Sequence, residues 1–324
     1  MRIVFVGGLK DGHMVLKYLL DRNENVVGIF VLDPAYSYSV AGYLPLEPLA
    51  ASKGIPCYRV KHINNEAENI RKLNPDLIFV VGWSQLVSKE IIDIPKYGCI
   101  GFHSSLLPRR RGRSPIVWAI VDGLTETGVT MFYLTEGVDD GDIIAKKKFS
   151  IDIEHTASDV LAEADKATLD LIEENLPMLE RRIATRIPQD NRDATYTRKR
   201  GEKDQIIDWD KGTLEIYNLV RALTHPYPGA FTFLNGRKLF IWQAKLPIRA
   251  PSLRSKVESG QIMDLAENGF YVATGNGWLL ITEVQLDGDT QMTGSELIKK
   301  YRVKSRTVLG SKGVYENPCC SGTS

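Results

Sequence analysis

A chain of 324 residues is longer than one hydrophobic core usually fills, so its length argues for two domains of unequal size. Hydrophobic residues at 43% and charged residues at 25% are ordinary for a globular enzyme and exclude a wholly disordered or fibrous chain. A formal net charge of +1, with a pI near 7.6, supplies no overall positive field to attract a nucleic-acid polyanion.

Arg2 to Val6 forms an apolar run that ends at Gly7-Gly8 and leads into a helical pattern through Met14, Val15, Tyr18 and Leu19, which predicts strand, tight turn and helix. Asn25 to Leu32 predicts a second strand, and Asp76 to Val81, bounded by Asn74-Pro75 and Gly82, a buried one. Strands that are apolar throughout and alternate with helices argue for a mostly parallel sheet covered on both faces. The Gly7-Gly8 turn lacks G-x-G-x-x-G spacing, so no dinucleotide site is expected there. Cys99 to His103 is the next buried strand and delivers His103 to the sheet edge where such folds hold ligands. Ser114 and Pro115 read as the N-cap and first residue of a helix reaching about Asp122. Gly128 to Leu134 returns as a strand, turns at Glu136 to Gly141 and leaves as Ile143 to Ile151. Thr156 to Ile183 has helical periodicity, with a kink or break expected at Pro177.

A catalytic domain is therefore expected over 1–184, followed by a polar linker over 185–204 that wraps the surface. Beyond it, a helix at Leu214 to Leu223 precedes short strands at Ala230 to Leu234, Lys238 to Lys245, Gly260 to Asp264, Gly269 to Ala273 and Trp278 to Leu286. Turn signals such as Asn235-Gly236 make residues 205–312 a small OB-like barrel, with a flexible tail over 313–324. The apolar runs fall short of the ~20 residues a spanning helix needs, and Met1 leads directly into a strand, so a cytoplasmic protein is expected. Cys57, Cys99, Cys319 and Cys320 are too irregularly spaced for a disulfide framework or a zinc site; no metal is expected.

Chemistry concentrates between Gly101 and Asp142, in GFHSSLLPRRRGRSP and TGVTMFYLTEGVDDGD. An imidazole at His103 can manage proton and oxyanion chemistry near neutral pH, and an acid beside it tunes its charge. The loop Pro108, Arg109, Arg110, Arg111, Gly112 and Arg113 is cationic and suits an anionic ligand.

This stretch resembles the formyltetrahydrofolate-dependent formyltransferases, in which SLLP follows just behind an active-site His and a GVD-x-G-D-like turn carries a partner Asp. Here these are His103, Ser105, Leu106, Leu107 and Pro108, and Asp139; ATYTRKRGEKDQIIDW and VRALTHPYPGAFTFLNGRKLFIWQA resemble the entry to the family's C-terminal barrel. The resemblance implies a Rossmann-like domain followed by a smaller β-barrel, and formyl transfer from 10-formyltetrahydrofolate. It puts the pterin against Gln85, Leu86, Val87, Ser105 to Pro108, Arg113, and Thr135, Glu136, Gly137, Val138 and Asp139. Where the family pattern has an Asn that helps bind the oxyanion, this chain has Gly101, so a backbone N–H, the Ser104 hydroxyl or a water must substitute. RGRSPIVWAI and the barrel motifs most resemble enzymes acting on nucleotide-linked amino sugars, of the UDP-4-amino-4-deoxy-L-arabinose type. Arg109, Arg110, Arg111, Tyr196 and Arg200 then face the nucleotide-linked amino sugar, nucleic acid and membrane are not expected as partners, and a homodimer is. The alternatives are a methionyl-tRNA formyltransferase and a non-catalytic folate- or nucleotide-binding module.

Overall fold

Two strands without a polar side chain organise the first half of the chain: β1 (Ile3–Gly7) and β4 (Leu77–Val81) are buried along their whole length. Strands buried on both faces need helices on both sides, which the intervening segments provide. In chain order these are α1 (Lys10–Asp21), β2 (Val26–Leu32), α2 (Glu47–Ser52), β3 (Cys57–Val60) and α3 (Ala67–Lys72). After β4 come α4 (Lys89–Ile92), β5 (Cys99–His103), β6 (Arg111–Gly112), α5 (Pro115–Val121), β7 (Glu126–Tyr133), β8 (Ile143–Ser150), α6 (Ala157–Glu180) and β9 (Tyr196–Thr197). The computed structural model describes residues 1–36, 42–247 and 257–310; the expected tail over 313–324, with Cys319 and Cys320, lies outside them.

A seven-stranded sheet has the order β3-β2-β1-β4-β5-β7-β8, parallel from β3 to β5 and antiparallel where β7 and β8 join. Its core includes Phe5, Phe30 and Phe79, none exposed, each contributing about 1.5–3 kcal/mol by burial. Two details differ from the sequence expectation. Ser114 has a left-handed φ of 54°, outside the extended region used by a capping residue. Pro177 does not end α6, which continues to Glu180; lacking an N–H, the proline gives up the one helix bond that position 177 would make, and the helix runs on past it.

The chain folds into two compact units, one of Met1–Ala119, Leu124–Ile153 and Asp159–Lys199, and another of Ile120–Gly123, Glu154–Ser158 and the described residues from Arg200 onward. The second contains α7 (Thr213–Leu223), β10 (Ala230–Leu234), β11 (Arg237–Lys245), β12 (Ile262–Ala266), β13 (Gly269–Thr274), β14 (Gly277–Leu286), β15 (Met292–Thr293) and α8 (Gly294–Tyr301). Its antiparallel sheet has the order β10-β11-β14-β13-β12 and curls until the last described residues join its edges. Leu309 N–H donates to Gly260 O at 2.8 Å beside β12, and Gly310 N–H donates to Phe233 O on β10 at 2.9 Å. No helix among the described residues is long and apolar enough to cross a membrane.

Two polar groups in the first unit have stability consequences. Thr130 is fully buried on β7, and its hydroxyl donates to Ser105 O at 2.7 Å while accepting from Leu107 N–H at 3.1 Å. Thr130→Val keeps the shape and strands both backbone groups, so urea denaturation should show a loss of about 2–4 kcal/mol; a loss below about 1 would mean that neither bond matters. Asp11, in the first turn of α1, accepts from Gly12 N–H at 2.9 Å. Burial, helped by Asp165, pushes its carboxyl from the ordinary 3.8 up to about 6. Between those values the folded chain holds a proton that the unfolded chain has released, so this group's contribution to stability falls as pH rises through the window. Asp11→Asn should therefore stabilise the protein by about 2–3 kcal/mol at about pH 8 and by little near pH 4, read from paired denaturation curves. An equal gain at both would refute the buried-charge account.

Candidate active site

In an open parallel sheet, ligands settle beyond the carboxyl ends of the strands where the strand order reverses. That point lies between β1 and β4, and a cleft of about 850 Å³ opens there. Leu9 and Asp11 line it after β1, Gly82 and Trp83 after β4, and His103 and Ser104 at the end of β5.

His103 is held from both sides. Its Nε2 lies 2.7 Å from Arg110 O, which fixes that nitrogen as the protonated one, and its Nδ1 lies 3.5 Å from Asp139 Oδ2. The same carboxylate oxygen accepts from Gly112 N–H at 2.8 Å. Asp139 has a φ of 51° in the turn between β7 and β8. That turn closes tightly at Gly141, where any Cβ would collide with the Tyr133 carbonyl. A ring nitrogen beside a carboxylate at the wall of a cleft can accept a proton and stabilise the resulting cation.

Of the residues expected around a pterin, Gln85, Leu86, Val87, Arg113, Thr135, Gly137, Val138 and Asp139 line the cleft. The loop after β4 is fixed by side chains: Gln85 donates to Lys61 O at 2.8 Å, and Asn64 donates to Leu86 O at 3.1 Å. Leu86 is left 63% exposed on the cleft wall. Ser105, Leu106, Leu107, Pro108 and Glu136 are not brought to the cleft. Leu107 instead packs fully buried against Phe132 and Ile143, and the Ser105 hydroxyl donates to Arg109 O at 2.8 Å, because this segment must bury its apolar side to turn the chain. Gly101 lines the cleft, and a Cβ there would lie 2.9 Å from Leu134 Cδ2, so leucine fills the volume that an asparagine would need.

The residues expected to meet an acceptor are divided. Arg109 is exposed and Arg110 half-buried. Arg111 is 1% exposed, and its guanidinium is occupied by Gln189, Asn191 and the Tyr196 hydroxyl, which corrects its expected role as a ligand-facing cation. Tyr196 offers only its exposed ring. Arg200 lies in the second unit, 4.9 Å over the Tyr227 ring, where burial lowers its pKa. Sequence reasoning missed Gln189, which donates to Asp139 O at 2.8 Å and Gly141 O at 2.7 Å. Its place in a polar stretch read as linker gave no signal. No group of three or more His, Cys, Asp or Glu among the described residues is arranged to hold a metal ion.

Residues 1–175 match the family model described as formyl transferase, and residues 200–302 match that of the formyl transferase C-terminal domain. A methionyl-tRNA formyltransferase from Geotalea daltonii is 34% identical over 316 residues, covering 96% of this chain and 99% of that one. Another methionyl-tRNA formyltransferase, from Agathobacter rectalis, is 36% identical over 302 residues, covering 92% and 96%. The same fold occurs in an N-formyltransferase from Helicobacter canadensis, solved with folinic acid and dTDP-3-aminofucose, at a TM-score of 0.66 and 19% identity over 88% of this chain and 98% of that one. With both halves matched and such identity along nearly its whole length, the chain belongs to the formyl transferase family.

Proposed function

We propose that this enzyme transfers the formyl group of 10-formyltetrahydrofolate to the amino group of methionyl-tRNA. The observation that carries the reading is the 34–36% identity to methionyl-tRNA formyltransferases across nearly the whole chain. This favours the tRNA alternative over the nucleotide-linked amino sugar. Net charge argued the other way because it is a sum. Within the second unit, Lys299, Arg302, Lys304 and Arg306 are all exposed in one stretch, a local supply of cations for phosphates, while Lys300 among them is paired with Asp289.

The cleft suits the co-substrate: its volume is that of a small-molecule site, and Leu86 and Val138 offer exposed apolar faces to a flat heterocycle. When bound, the folate supplies an activated formyl carbon; as an amine adds there, negative charge gathers on the formyl oxygen and a proton must leave the nitrogen. His103 Nδ1 would take that proton, with the Asp139 carboxylate beside it stabilising the imidazolium, and would return it to the folate nitrogen as the bond from that nitrogen to the formyl carbon breaks and tetrahydrofolate leaves. Ser104, on the same wall, supplies a hydroxyl donor to the developing oxyanion where Gly101 offers no side chain.

Incubating the protein with 10-formyltetrahydrofolate and, separately, methionyl-tRNA, UDP- and dTDP-linked amino sugars, or water tests the acceptor. Formylmethionyl-tRNA should accumulate; turnover of a sugar with tRNA inert would overturn the reading. His103→Asn should lower kcat/KM by about 10²–10⁴-fold. Gly101→Asn should lower kcat as well, since its side chain must displace Leu134; a higher kcat would mean that the native site simply lacks a donor.

A further inference from the structure

Three successive residues hold both halves of the His103–Asp139 pair. Arg110 O accepts from the His103 ring, Gly112 N–H donates to the Asp139 carboxylate, and the Arg111 side chain between them turns inward to Gln189. Gln189 closes the loop. Its Oε1 accepts from Arg111 Nε at 3.1 Å and Nη2 at 2.8 Å, and its Nε2 donates to the carbonyls of Asp139 and Gly141. Two further Arg111 donors go to Asn191 Oδ1 at 2.9 Å and the Tyr196 hydroxyl at 3.1 Å. These acceptors are all neutral, an unusual environment for a buried cation, and a guanidinium on the amide oxygen polarises Gln189 so that its NH₂ donates more strongly. The backbone supports the same arrangement: Arg111 N–H donates to Thr195 O at 2.9 Å and Arg113 N–H to Thr197 O at 3.0 Å, pairing β6 with β9.

We propose that Gln189 is a positioning residue for the catalytic pair, setting the Asp139 turn against His103 through its amide N–H groups, with buried Arg111 as its anchor. Once Nδ1 takes up a proton, its separation of 3.5 Å from Oδ2 lies at the outer limit of a hydrogen bond, so a shift of a few tenths of an ångström at the turn decides whether the carboxylate supports the imidazolium. The role rests on formyl transfer as the activity, whatever the acceptor.

Gln189→Glu separates positioning from a purely structural part. A glutamate gives Arg111 a charged partner, so a residue needed only to satisfy the guanidinium would be replaced without loss. It also removes both donors and sets a carboxylate oxygen against the Asp139 and Gly141 carbonyls. We expect kcat at least tenfold below wild type, affinity for 10-formyltetrahydrofolate within threefold, and an unfolding midpoint no lower than that of wild type. A kcat within twofold of wild type overturns the proposal. Should Gln189→Glu not fold, Gln189→Met, which removes the donors without adding charge, is read by kcat and folate affinity alone, since it also takes an acceptor from the Arg111 guanidinium. If the wild-type chain turns over no acceptor, the activity reading fails separately. Positioning is then judged from the ¹⁵N shifts of the His103 ring, identified by their absence in His103→Asn: unchanged shifts in the Gln189 variant overturn it, and changed ones support it.

Discussion

The hydrogen bond from the His103 ring to the Arg110 carbonyl orients the imidazole that the rest of the site depends on. It decides which nitrogen carries the proton and turns the other toward Asp139. A ring free to rotate would present either nitrogen to the carboxylate, and the pair would have no fixed acid–base sense. Holding a backbone carbonyl in that position requires an ordered loop at the edge of the sheet. Burial of Leu107, the Ser105 and Thr130 hydroxyl bonds and the short β6–β9 pairing impose that order.

The same economy explains the sheet. Parallel strands up to β5 bring their carboxyl ends to one rim, and the antiparallel β7–β8 hairpin then returns an acid to the imidazole without a further crossover helix. The reversal also sets Phe132 opposite Gly101, so the floor of the cleft is apolar where a polar amide belongs in the family pattern. Ser104 lies one residue beyond His103 on the same wall.

Much of this was legible in the chain. Apolar runs bounded by glycine or proline marked β1, β4 and β5, because strands buried on both faces leave no choice of residue type. The edge strand β3 escaped notice, since of Cys57–Val60 only Val60 is buried and the pattern carries no period. Motif spacing brought out His103 and Asp139. It also put Ser105 to Pro108 against a cleft that they do not line and gave Arg111 a ligand-facing role that its burial does not fit, because spacing does not say which way a side chain turns. Gln189 was invisible for a different reason: its partners are mainly backbone carbonyls some fifty positions away, and a carbonyl has no residue identity to read. Net charge says little about the acceptor, because it averages away the exposed cations between Lys299 and Arg306.

The contact of residues 187–197 with the first unit changes how the two halves of the chain can be exchanged. Ile187 pairs with Ile143, Thr195 with Pro108 and Arg111, and Trp118 donates to Arg198 O at 2.9 Å, so the polar stretch after α6 is woven into the catalytic fold up to its last residues. A hybrid enzyme spliced at the end of the long helix would carry a foreign strand through its own reaction centre. The natural seam lies after Lys199, where the first unit ends.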